Sequence, residues 1–407
     1  MTNSVLPVDS VTSEELIPDR AELVARAEGL RELLWTDAPE CERERRISDR
    51  VVTAMTEAGL LRLQTPRRLG GYATDMRTLL DVATTLGRGC PSAAWIAGVL
   101  NAGNFMAALF PAAAGDEVWG ETPDARCALV LGLPSPAVEP VDGGMIVSGE
   151  WAYVSGCLHA QWVSALIAVP TDAGRPDVRF ALMPADEVAI KDTWYFAGMR
   201  GTGSNTVVAD RIFVPDRRLV PYLPILNGET DGVVDPALPY RNSLTGLFSI
   251  GLIGALIGGA EAALDFVRDK GPTRPVAGST YRNQTQSPTF QLDLADATSK
   301  IDMAKLVAAR IADTVDELAR AGVNADLTVR ARNRLESTLV GRLCREAVDT
   351  LLTAHGSSAF NESNPLQRLW RDINVGSRHA GFGMGIPEQV YGRALVGGDP
   401  RDISFIV

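Results

Sequence analysis

The sequence contains three histidines, His159, His355 and His379, and histidine is the side chain whose ordinary pKa lies near neutral pH. His379 follows Asp372 by seven residues, so a helix would place both side chains on one face, two turns apart. An imidazole so placed could serve as a general base. A lone histidine on a helix is more often structural, and the sequence has no HExxH motif that would favour a metal.

Two short stretches place a serine beside glycine or proline, where backbone donors and a hydroxyl can face a ligand. Residues 131–136 read LGLPSP and contain Ser135, and residues 151–156 read WAYVSG and contain Ser155. Ordinary turns at the ends of strands have the same composition. The two stretches are therefore either parts of a ligand site or simple strand-to-turn junctions.

A glycine-rich run, GMRGTGSN at residues 198–205, is the third candidate. A dinucleotide-binding loop follows a strand and opens a helix, whereas this run precedes the strand-like sequence TVVADRIFVP. The run also lacks the lysine of a phosphate-binding P-loop. It is either a tight turn between strands or a loop that faces a ligand, with Arg200 as a fixed cation.

The composition limits the expected partners and compartment. The 407-residue chain carries a net charge of −11, so nucleic acid is not an expected partner. Its five cysteines are scattered without a CxxC pair, which argues against a zinc ribbon and fits a reducing cytoplasm. The acidic residues near the start of the chain do not suit a signal peptide. We therefore expect a cytoplasmic protein without a bound metal.

The type of secondary structure that must position these side chains changes twice along the chain. Apolar residues recur at helical spacing through residues 1–125, and short alternating strands with Gly and Pro turns fill residues 126–220. Residues 221–240 are proline-rich without a clear period, which predicts a linker, and helical spacing returns over residues 241–407. The sequence thus predicts a mainly α protein with a central β domain and a long C-terminal helical domain.

The segment Ser243–Ala260 is uncharged and contains Gly254 and Gly258 at the GxxxG spacing. A membrane-spanning helix can have this composition. A buried helix in a large helical interface can have it too, and here the helical pattern continues directly into Glu261 and Asp265. We favour the buried helix and expect no membrane partner.

Two motifs resemble those of the acyl-CoA dehydrogenase superfamily, over about residues 20–395. The first is WYxxGMRGTGSN at residues 194–205 with Val214-Pro215 after it, and the second is PLQRxxRD at residues 365–372 with His379 downstream. Within the superfamily, both are similar to the group D flavin-dependent monooxygenases, such as the hydroxyphenylacetate, actinorhodin and naphthocyclinone hydroxylases. The resemblance implies an N-terminal helical domain, a middle β-barrel or sandwich, and a C-terminal four-helix bundle.

The sequence departs from the common acyl-CoA dehydrogenases, which remove an α proton with a glutamate shortly after the Arg-Asp pair. No glutamate follows Arg371-Asp372 until Glu388, and His379 stands at about the place of the base. Some dehydrogenases hold the glutamate on another helix, so a flavin oxidase or desaturase stays an alternative. An N-hydroxylase that makes nitroso products, another branch of the superfamily, is a second alternative.

The resemblance implies an oxygenase component that receives reduced flavin (FADH2 or FMNH2) from a separate NAD(P)H:flavin reductase. With O2 it would form a flavin C4a-hydroperoxide and hydroxylate an aromatic or polycyclic natural-product intermediate. By the same resemblance, Ser155 lies near flavin N5, and His379 lies near the reacting oxygen, where it would deprotonate a phenol or stabilise the peroxide. The family also implies a homotetramer, with a dimer as the minimum.

The remaining site residues come from the same resemblance. The flavin-binding set is Leu133, Ser135, Tyr153, Ser155, Arg200, Thr202, Ser204, Gly356 and Arg368. The substrate-pocket set is Asn104, His159 and Trp194. Some relatives carry a further active-site histidine in the helix before the β domain, where this chain has Asn104. Asparagine cannot act as a base at neutral pH, so that role is absent, is not needed by the substrate, or falls to His159.

Overall fold

The computed structural model describes residues 17–133, 137–171, 174, 176–229, 240, 248–383, 385–404 and 406–407. Within these residues the chain passes through a set of helices, then two sheets, then a second set of helices. This order is the one that the sequence predicted. The functional interest lies where the three parts meet, so the elements are given below chiefly for what they position.

The first helices begin where a polar side chain can satisfy free backbone donors. Asp19, Ser48 and Asp75 each accept a hydrogen bond from the backbone N–H three residues on, which caps a helix. Pro91, whose φ is fixed, begins another. The helices are α1 (Arg20–Gly29), α2 (Arg31–Glu44), α3 (Asp49–Glu57), α4 (Met76–Gly87), α5 (Pro91–Ala107) and α6 (Ala112–Trp119).

The strands of the middle region form two four-stranded sheets. They are β1 (Cys127–Val130), β2 (Ala137–Val141), β3 (Gly144–Val154), β4 (Trp162–Val169), β5 (Asp177–Pro184), β6 (Ala189–Lys191), β7 (Asn205–Pro215) and β8 (Leu219–Pro221). One sheet has the order β1-β4-β5-β8 and the other β2-β3-β7-β6. β1 pairs with β4 in parallel, and the other described pairs are antiparallel.

The two sheets share one apolar core, to which Trp151, Ile167 and Val207 contribute. The sheets are not closed on each other, because the outer strands β6 and β8 are three residues long and pair on one side only. The predicted sandwich is therefore confirmed for the described strands. The barrel alternative is wrong, since a barrel leaves no strand with a free edge.

The C-terminal helices pack as a bundle. α8 and α10 each contact the other three of α8 to α11, and α12 packs against α10. Ile301, Ala347 and Ile373 lie in their shared apolar core. The helices of this part, with the short helix that precedes them, are α7 (Tyr222–Leu226), α8 (Ser249–Lys270), α9 (Pro288–Ala321), α10 (Leu327–His355), α11 (Pro365–Gly376) and α12 (Ile386–Leu395).

Helix α8 also contacts α4 and α5, and so joins the two helical parts. Residues Ser249–Thr273 are long and apolar enough to cross a membrane, yet 78% of the apolar window is buried inside the protein. Glycines allow close packing: a Cβ on Gly251 would lie 2.7 Å from the Cα of Gly98, and one on Gly254 would lie 2.8 Å from Ala83 Cβ. Such burial is typical of a core helix and supports the buried-helix interpretation.

The predicted domain limits at 125, 220 and 240 stay predictions. Helix α6 ends at Trp119, β8 ends at Pro221, and α7 lies inside the segment predicted as a linker. Residues 1–16, 230–239 and 241–247, which include half of that linker, lie outside the described residues.

Candidate active site

The glycine-rich run at residues 198–205 lies against helix α11. A Cβ on Gly198 would overlap the carbonyl oxygen of Arg371, so the loop backbone touches the helix backbone directly. Met199 follows in a left-handed conformation, with φ 52°. Its amide donates a hydrogen bond to Oδ1 of Asp372 at 2.5 Å. Helix α11 therefore fixes where the loop begins.

Three hydroxyls extend from Met199 toward the end of β3. Thr202 Oγ1 donates to the Met199 carbonyl oxygen at 2.8 Å. Ser204 Oγ lies 2.7 Å from Thr202 Oγ1 and 2.7 Å from Ser155 Oγ. Thr202 and Ser204 are buried, whereas Ser155 at the end of the row is half-buried. We call Ser155, Ser204 and Thr202 the hydroxyl chain, and it unites three of the predicted flavin-binding residues.

The turn after β3 holds Ser155 in place. Tyr153 has φ 65°, which a bulky side chain rarely adopts, and Gly156 has φ 80°. A Cβ on Gly156 would lie 2.9 Å from the Leu100 side chain, so the turn packs tightly against α5. Backbone strain of this kind is concentrated at functional sites. The turn therefore presents Ser155 where the sheets meet α5.

An aromatic surface borders this turn. Trp194 stacks on Phe196 with ring centroids 4.0 Å apart, and the Tyr153 ring meets them edge-on at 6.4 and 6.1 Å. The Trp194 indole also donates to the Met199 carbonyl oxygen at 3.0 Å. Tyr153 is 65% exposed, although large aromatic side chains usually gain by burial. This surface is suited to pack against a planar ring.

His379 lies just beyond the end of α11. Its ring meets Trp95 of α5 edge-on, with centroids 5.6 Å apart, and Phe382 at 5.7 Å. His379 is exposed to solvent, yet desolvation of its imidazole by the surrounding protein lowers its pKa to about 4. The ring is therefore neutral at neutral pH. Gly381 N–H donates to Nδ1 at 3.2 Å, which leaves Nε2 as the protonated nitrogen.

Gly376, on the last turn of α11, connects the region of His379 to the loop that bears the hydroxyl chain. A Cβ on Gly376 would lie 3.1 Å from Met199 Cε and 3.3 Å from the Trp95 ring. The end of α11, the loop at Met199 and helix α5 therefore meet at one junction. Hydrogen bonds in and to the loop bring together Ser155, Trp194, Thr202 and Ser204, and His379 follows the end of α11 by three residues.

Two arginines hold the loop in place. Arg200, predicted to contact flavin, donates through Nε to the Glu42 carbonyl oxygen at 2.9 Å and through Nη1 to the Phe196 carbonyl oxygen at 3.1 Å. Arg371 pairs with the Glu42 carboxylate and donates to the Ala197 carbonyl oxygen. Both cations therefore tie the loop to α2. The flavin contact of Arg200 stays a prediction.

Arg368 differs from these two arginines because part of its hydrogen-bonding capacity is unused. The residue is 6% exposed, and its Nε has no hydrogen-bond partner among the described residues. Its guanidinium lies 5.8 Å from the centroid of the Trp35 ring. A buried donor without a partner is unusual in a folded protein and suits an additional acceptor.

The other predicted flavin-binding residues make no hydrogen bond to the hydroxyl chain among the described residues. Gly356 ends α10 with φ 84° and is exposed, and Leu133 is 40% exposed. Ser135 lies outside the described residues. No contact among the described residues brings Gly356 or Leu133 to Ser155. Their contacts with flavin stay predictions.

The two polar residues predicted for the substrate pocket are both buried. Asn104 donates to the Leu61 carbonyl oxygen and to Thr65 Oγ1 and accepts from the Cys127 amide, each at 3.0 Å. Its amide therefore joins α5 to β1. His159 is 7% exposed, its Nε2 has no partner among the described residues, and burial lowers its pKa to about 4. Substrate contact by either residue stays a prediction.

Trp95, Phe196 and Gly376 belong to the junction, but the sequence did not single them out. Trp95 lies in an apolar helix, where a tryptophan looks like any other core residue. Gly376 touches Met199, which is distant in sequence, so no local pattern marks it. Phe196 lies inside the first motif, two residues after Trp194, and that position was the one available signal.

Family models match both ends of the chain. Residues 19–114 match the acyl-CoA dehydrogenase N-terminal domain, and residues 250–383 match the acyl-CoA dehydrogenase C-terminal domain. The oxygenase component of the FADH(2)-dependent resorcinol hydroxylase from Rhizobium sp. is 33% identical over 393 residues, which cover 93% of this chain and 95% of that protein. The chain belongs to the flavin-dependent monooxygenases of the acyl-CoA dehydrogenase superfamily.

Two solved structures share the architecture of most of this chain. XiaF from Streptomyces sp., in complex with FADH2 and glycerol, has a TM-score of 0.89 and 36% identity and covers 94% of this chain and 96% of that chain. The HsaA monooxygenase from M. tuberculosis has a TM-score of 0.87 and 30% identity and covers 94% and 99%. The family resemblance that two motifs predicted is confirmed.

The residues of this monooxygenase fit a reduced flavin. The half-buried Ser155 hydroxyl offers a polar contact, and the exposed ring of Tyr153, with the buried Trp194 and half-buried Phe196 behind it, offers a planar one. The Nε of Arg368 is a buried donor that lacks a partner among the described residues. Across the same residues, no group of three or more His, Cys, Asp or Glu side chains is arranged to hold a metal ion.

Proposed function

We propose that this protein is the oxygenase component of a two-component monooxygenase that hydroxylates an aromatic or polycyclic substrate. The reaction would be RH + O2 + reduced flavin → ROH + H2O + oxidised flavin. The observation that carries the proposal is the junction of α5, α11 and the loop at Met199, where a neutral His379 and the hydroxyl chain lie on adjoining elements. The relation to the resorcinol hydroxylase oxygenase component supports it.

Bound reduced flavin would supply two electrons and activate O2 for transfer of one oxygen atom. Ser155 would contact N5 of the flavin ring. Its Oγ lies 2.7 Å from Ser204 Oγ, which in turn lies 2.7 Å from Thr202 Oγ1. Tyr153 and Trp194 would border the ring. Because Thr202 and Ser204 are buried, water does not compete for the hydrogen bond between Ser204 and Ser155.

His379 would act as a hydrogen-bond donor to the oxygen that is transferred. Its Nδ1 accepts from the Gly381 amide, so Nε2 carries the proton, and the lowered pKa keeps the ring neutral. Proton removal from a phenol would require the opposite tautomer, with a free Nε2. Trp95 and Phe382 lie against the ring, while the residue as a whole is exposed to solvent. The arrangement therefore favours stabilising an oxygen over abstracting a phenol proton.

The alternative of an α,β-desaturase has no support in the residues around His379. The first glutamate after Asp372 is Glu388, which lies exposed on α12. A carboxylate base must reach its substrate inside a pocket, and an exposed residue on an outer helix does not. We therefore propose oxygen transfer and not desaturation.

The substrate class follows from the relatives and from the aromatic character of the junction. Relatives are named for resorcinol, p-hydroxyphenylacetate and indole-3-acetate, which are all aromatic. Trp95, Phe382 and Trp194 are buried aromatic residues at the junction and would form the apolar backing of a pocket for such a ring. Because His379 is a donor and the amide of Asn104 is fully engaged, substrates without an ionisable phenol are included in this proposal.

Two kinds of partner complete the proposal. A separate NAD(P)H:flavin reductase would supply the reduced flavin, as the name oxygenase component implies for the relatives. A homotetramer, with a dimer as the minimum, is supported by an exposed apolar row on α9: Leu292 is 70%, Met303 is 48% and Leu306 is 71% exposed. The five cysteines are free and buried, which supports the proposed cytoplasmic location.

Single-turnover oxygenation tests this function. The protein would be mixed anaerobically with reduced FAD and an aromatic compound such as resorcinol or indole, then exposed to 18O2. One 18O atom per product molecule, seen by mass spectrometry, is the expected result. Hydrogen peroxide as the sole product with every aromatic compound tried would overturn the proposal, as would dehydrogenation of an acyl thioester.

A further inference from the structure

The hydrogen bonds of the hydroxyl chain can run in one direction only. Each hydroxyl has a single proton, and Thr202 gives its proton to the Met199 carbonyl oxygen, which can only accept. The 2.7 Å contact between Thr202 and Ser204 must therefore use the Ser204 proton. The 2.7 Å contact between Ser204 and Ser155 must then use the Ser155 proton. Every proton in the chain points toward Met199.

The fold fixes the end of the chain that sets this direction. The Met199 carbonyl oxygen also accepts from the Trp194 indole at 3.0 Å and from the Thr202 amide at 3.1 Å. On the other side of the same residue, the Met199 amide is bound to Asp372 at 2.5 Å. A carbonyl held by three donors cannot turn away from the chain. The direction is thus a property of the folded protein.

Ser155 consequently has lone pairs to offer but no proton, so a ligand atom that bonds to its Oγ must be a donor. Reduction adds a hydrogen to N5 of an isoalloxazine ring and changes N5 from an acceptor to an N–H donor. We infer that the hydroxyl chain makes Ser155 an acceptor that selects reduced flavin over oxidised flavin, with Thr202 and Ser204 as positioning residues. This inference rests on the proposed function, which puts N5 at Ser155.

Selection of this kind suits an enzyme that receives its flavin reduced and must release it oxidised. An oxidised N5 and Ser155 Oγ would face each other with lone pairs, and a buried acceptor left without a donor is destabilising. The same contact would therefore retain the flavin before the reaction and weaken its hold afterwards. No titrating group is needed, because the change occurs on the flavin.

The test compares dissociation constants for reduced and oxidised FAD, measured by tryptophan fluorescence in anaerobic titrations without substrate or oxygen. Thr202→Val removes the acceptor for the Ser204 proton, and Ser204→Ala removes the acceptor for the Ser155 proton. In both variants Ser155 can donate to an oxidised N5. The ratio of the oxidised to the reduced dissociation constant should fall about threefold to tenfold, the effect of one neutral hydrogen bond.

Two matched variants serve as controls. Thr206 Oγ1 makes a similar 2.9 Å contact with Thr193 Oγ1 outside the chain, so Thr206→Val should keep the wild-type ratio. Thr202→Ser keeps the donor and should keep the ratio too. Should Thr202→Val not fold, Ser204→Ala carries the test alone.

Two other outcomes have separate meanings. Equal changes in both dissociation constants, or an unchanged ratio in Ser204→Ala, would overturn the inferred direction. A wild-type protein that binds neither form of FAD or FMN would instead overturn the proposed function.

Discussion

Asp372 and Met199 are joined by a hydrogen bond of 2.5 Å from the Met199 amide to the Asp372 carboxylate. Asp372 lies on the helix that leads to His379, and Met199 lies in the loop that anchors the hydroxyl chain. One contact therefore ties the proposed oxygen-stabilising residue to the proposed flavin contact. Burial raises the pKa of Asp372 to about 6, so at neutral pH the carboxylate is ionised and accepts this bond at its strongest.

The first prediction concerns this contact. Asp372→Ala should lower the yield of hydroxylated product per reduced flavin about tenfold, because the loop and α11 would no longer be held in register. The carboxylate of Asp316 provides a matched control, since it is also buried and also accepts from backbone amides, those of Met76 and Arg77 at 2.8 and 3.0 Å.

Both alanine variants should lose about 1–3 kcal/mol of unfolding free energy, since each leaves a buried amide unpaired. Only Asp372→Ala should speed hydrogen exchange in residues 196–204 and change the product yield. Equal yields from the two variants would mean that Asp372 has a structural role alone. The readouts are product and hydrogen peroxide per flavin, together with exchange mass spectrometry.

The second prediction separates two roles for His379. If Nε2–H donates to the transferred oxygen, His379→Ala should lower the product yield about tenfold to hundredfold, the effect of a hydrogen bond to a charged group. His379→Asn keeps an N–H donor and should retain more of the yield. Because the pKa of His379 is lowered to about 4, the wild-type yield should be flat from about pH 6 to pH 9. Equally inactive alanine and asparagine variants would instead indicate a base.

The third prediction is a pH dependence of stability at Asp316. Burial raises the pKa of Asp316 from 3.8 to about 6, and the negative charge of Asp75 also acts to raise it. The two backbone hydrogen bonds and Arg320 act to lower the pKa. Between about pH 4 and pH 6 the native state keeps a proton that the unfolded state has lost, so this group's contribution to the free energy of unfolding falls as pH rises. Asp316→Asn lacks this titration.

The stability advantage of wild type over Asp316→Asn should therefore shrink from pH 4 to pH 7. Urea titrations at the two pH values measure it, with Asp302→Asn, an exposed carboxyl on the same helix, as a reference for general charge effects. An advantage that grows with pH would show that the carboxylate form is the stabilised one.

The fourth prediction tests the apolar row on α9. Leu306→Glu places a charge where the proposed contact between subunits would be dry, so light scattering should report a mass nearer to the 43.5 kDa of one chain. Leu395 on α12 is 63% exposed and outside the row. Leu395→Glu should leave the assembly intact. An unchanged mass for Leu306→Glu would place the subunit contact elsewhere.

Much of the fold could be predicted from the sequence because its elements follow local rules. Helical spacing, short alternating runs, and Gly and Pro turns indicated the order of helices and strands before any tertiary information. The choice between barrel and sandwich could not be predicted, because it depends on how far the edge strands extend. β6 and β8 are three residues long, and no pattern marks that limit.

Parts of the candidate site could be proposed from the sequence where several polar residues fall within one motif. Residues 198–205 and the Arg371-Asp372 pair are the examples. What the motif does required the structure. Asp372 bonds to the backbone amide of Met199, and the direction of the hydroxyl chain depends on the backbone carbonyl of Met199. Because both are backbone groups, the residue types in the sequence do not indicate these two contacts. The tautomer of His379 likewise follows from the Gly381 amide. Asn104 was predicted as a pocket residue, and the structure shows that its amide bonds within the protein; its contact with substrate stays a prediction.

The last prediction concerns the contact of the loop backbone with α11. A Cβ at Gly198 would overlap the Arg371 carbonyl oxygen and lie 2.9 Å from the Asp372 amide nitrogen, and neither backbone atom can move without bending the helix. Gly198→Ala should therefore destabilise the protein by about 1–3 kcal/mol and weaken binding of reduced flavin. Gly29→Ala, at the end of α1 with nothing within 4 Å, should be neutral or stabilising by about 0.5–1 kcal/mol.

Urea unfolding and anaerobic flavin titration of the two glycine variants measure both effects. If Gly198→Ala were as stable as wild type, the loop would be able to withdraw from α11. The bond between Met199 and Asp372 would then have to break or lengthen, and the flavin titration would reveal whether the hydroxyl chain still faces its ligand. Unchanged stability and unchanged flavin affinity together would show that the close approach at Gly198 does not position the site.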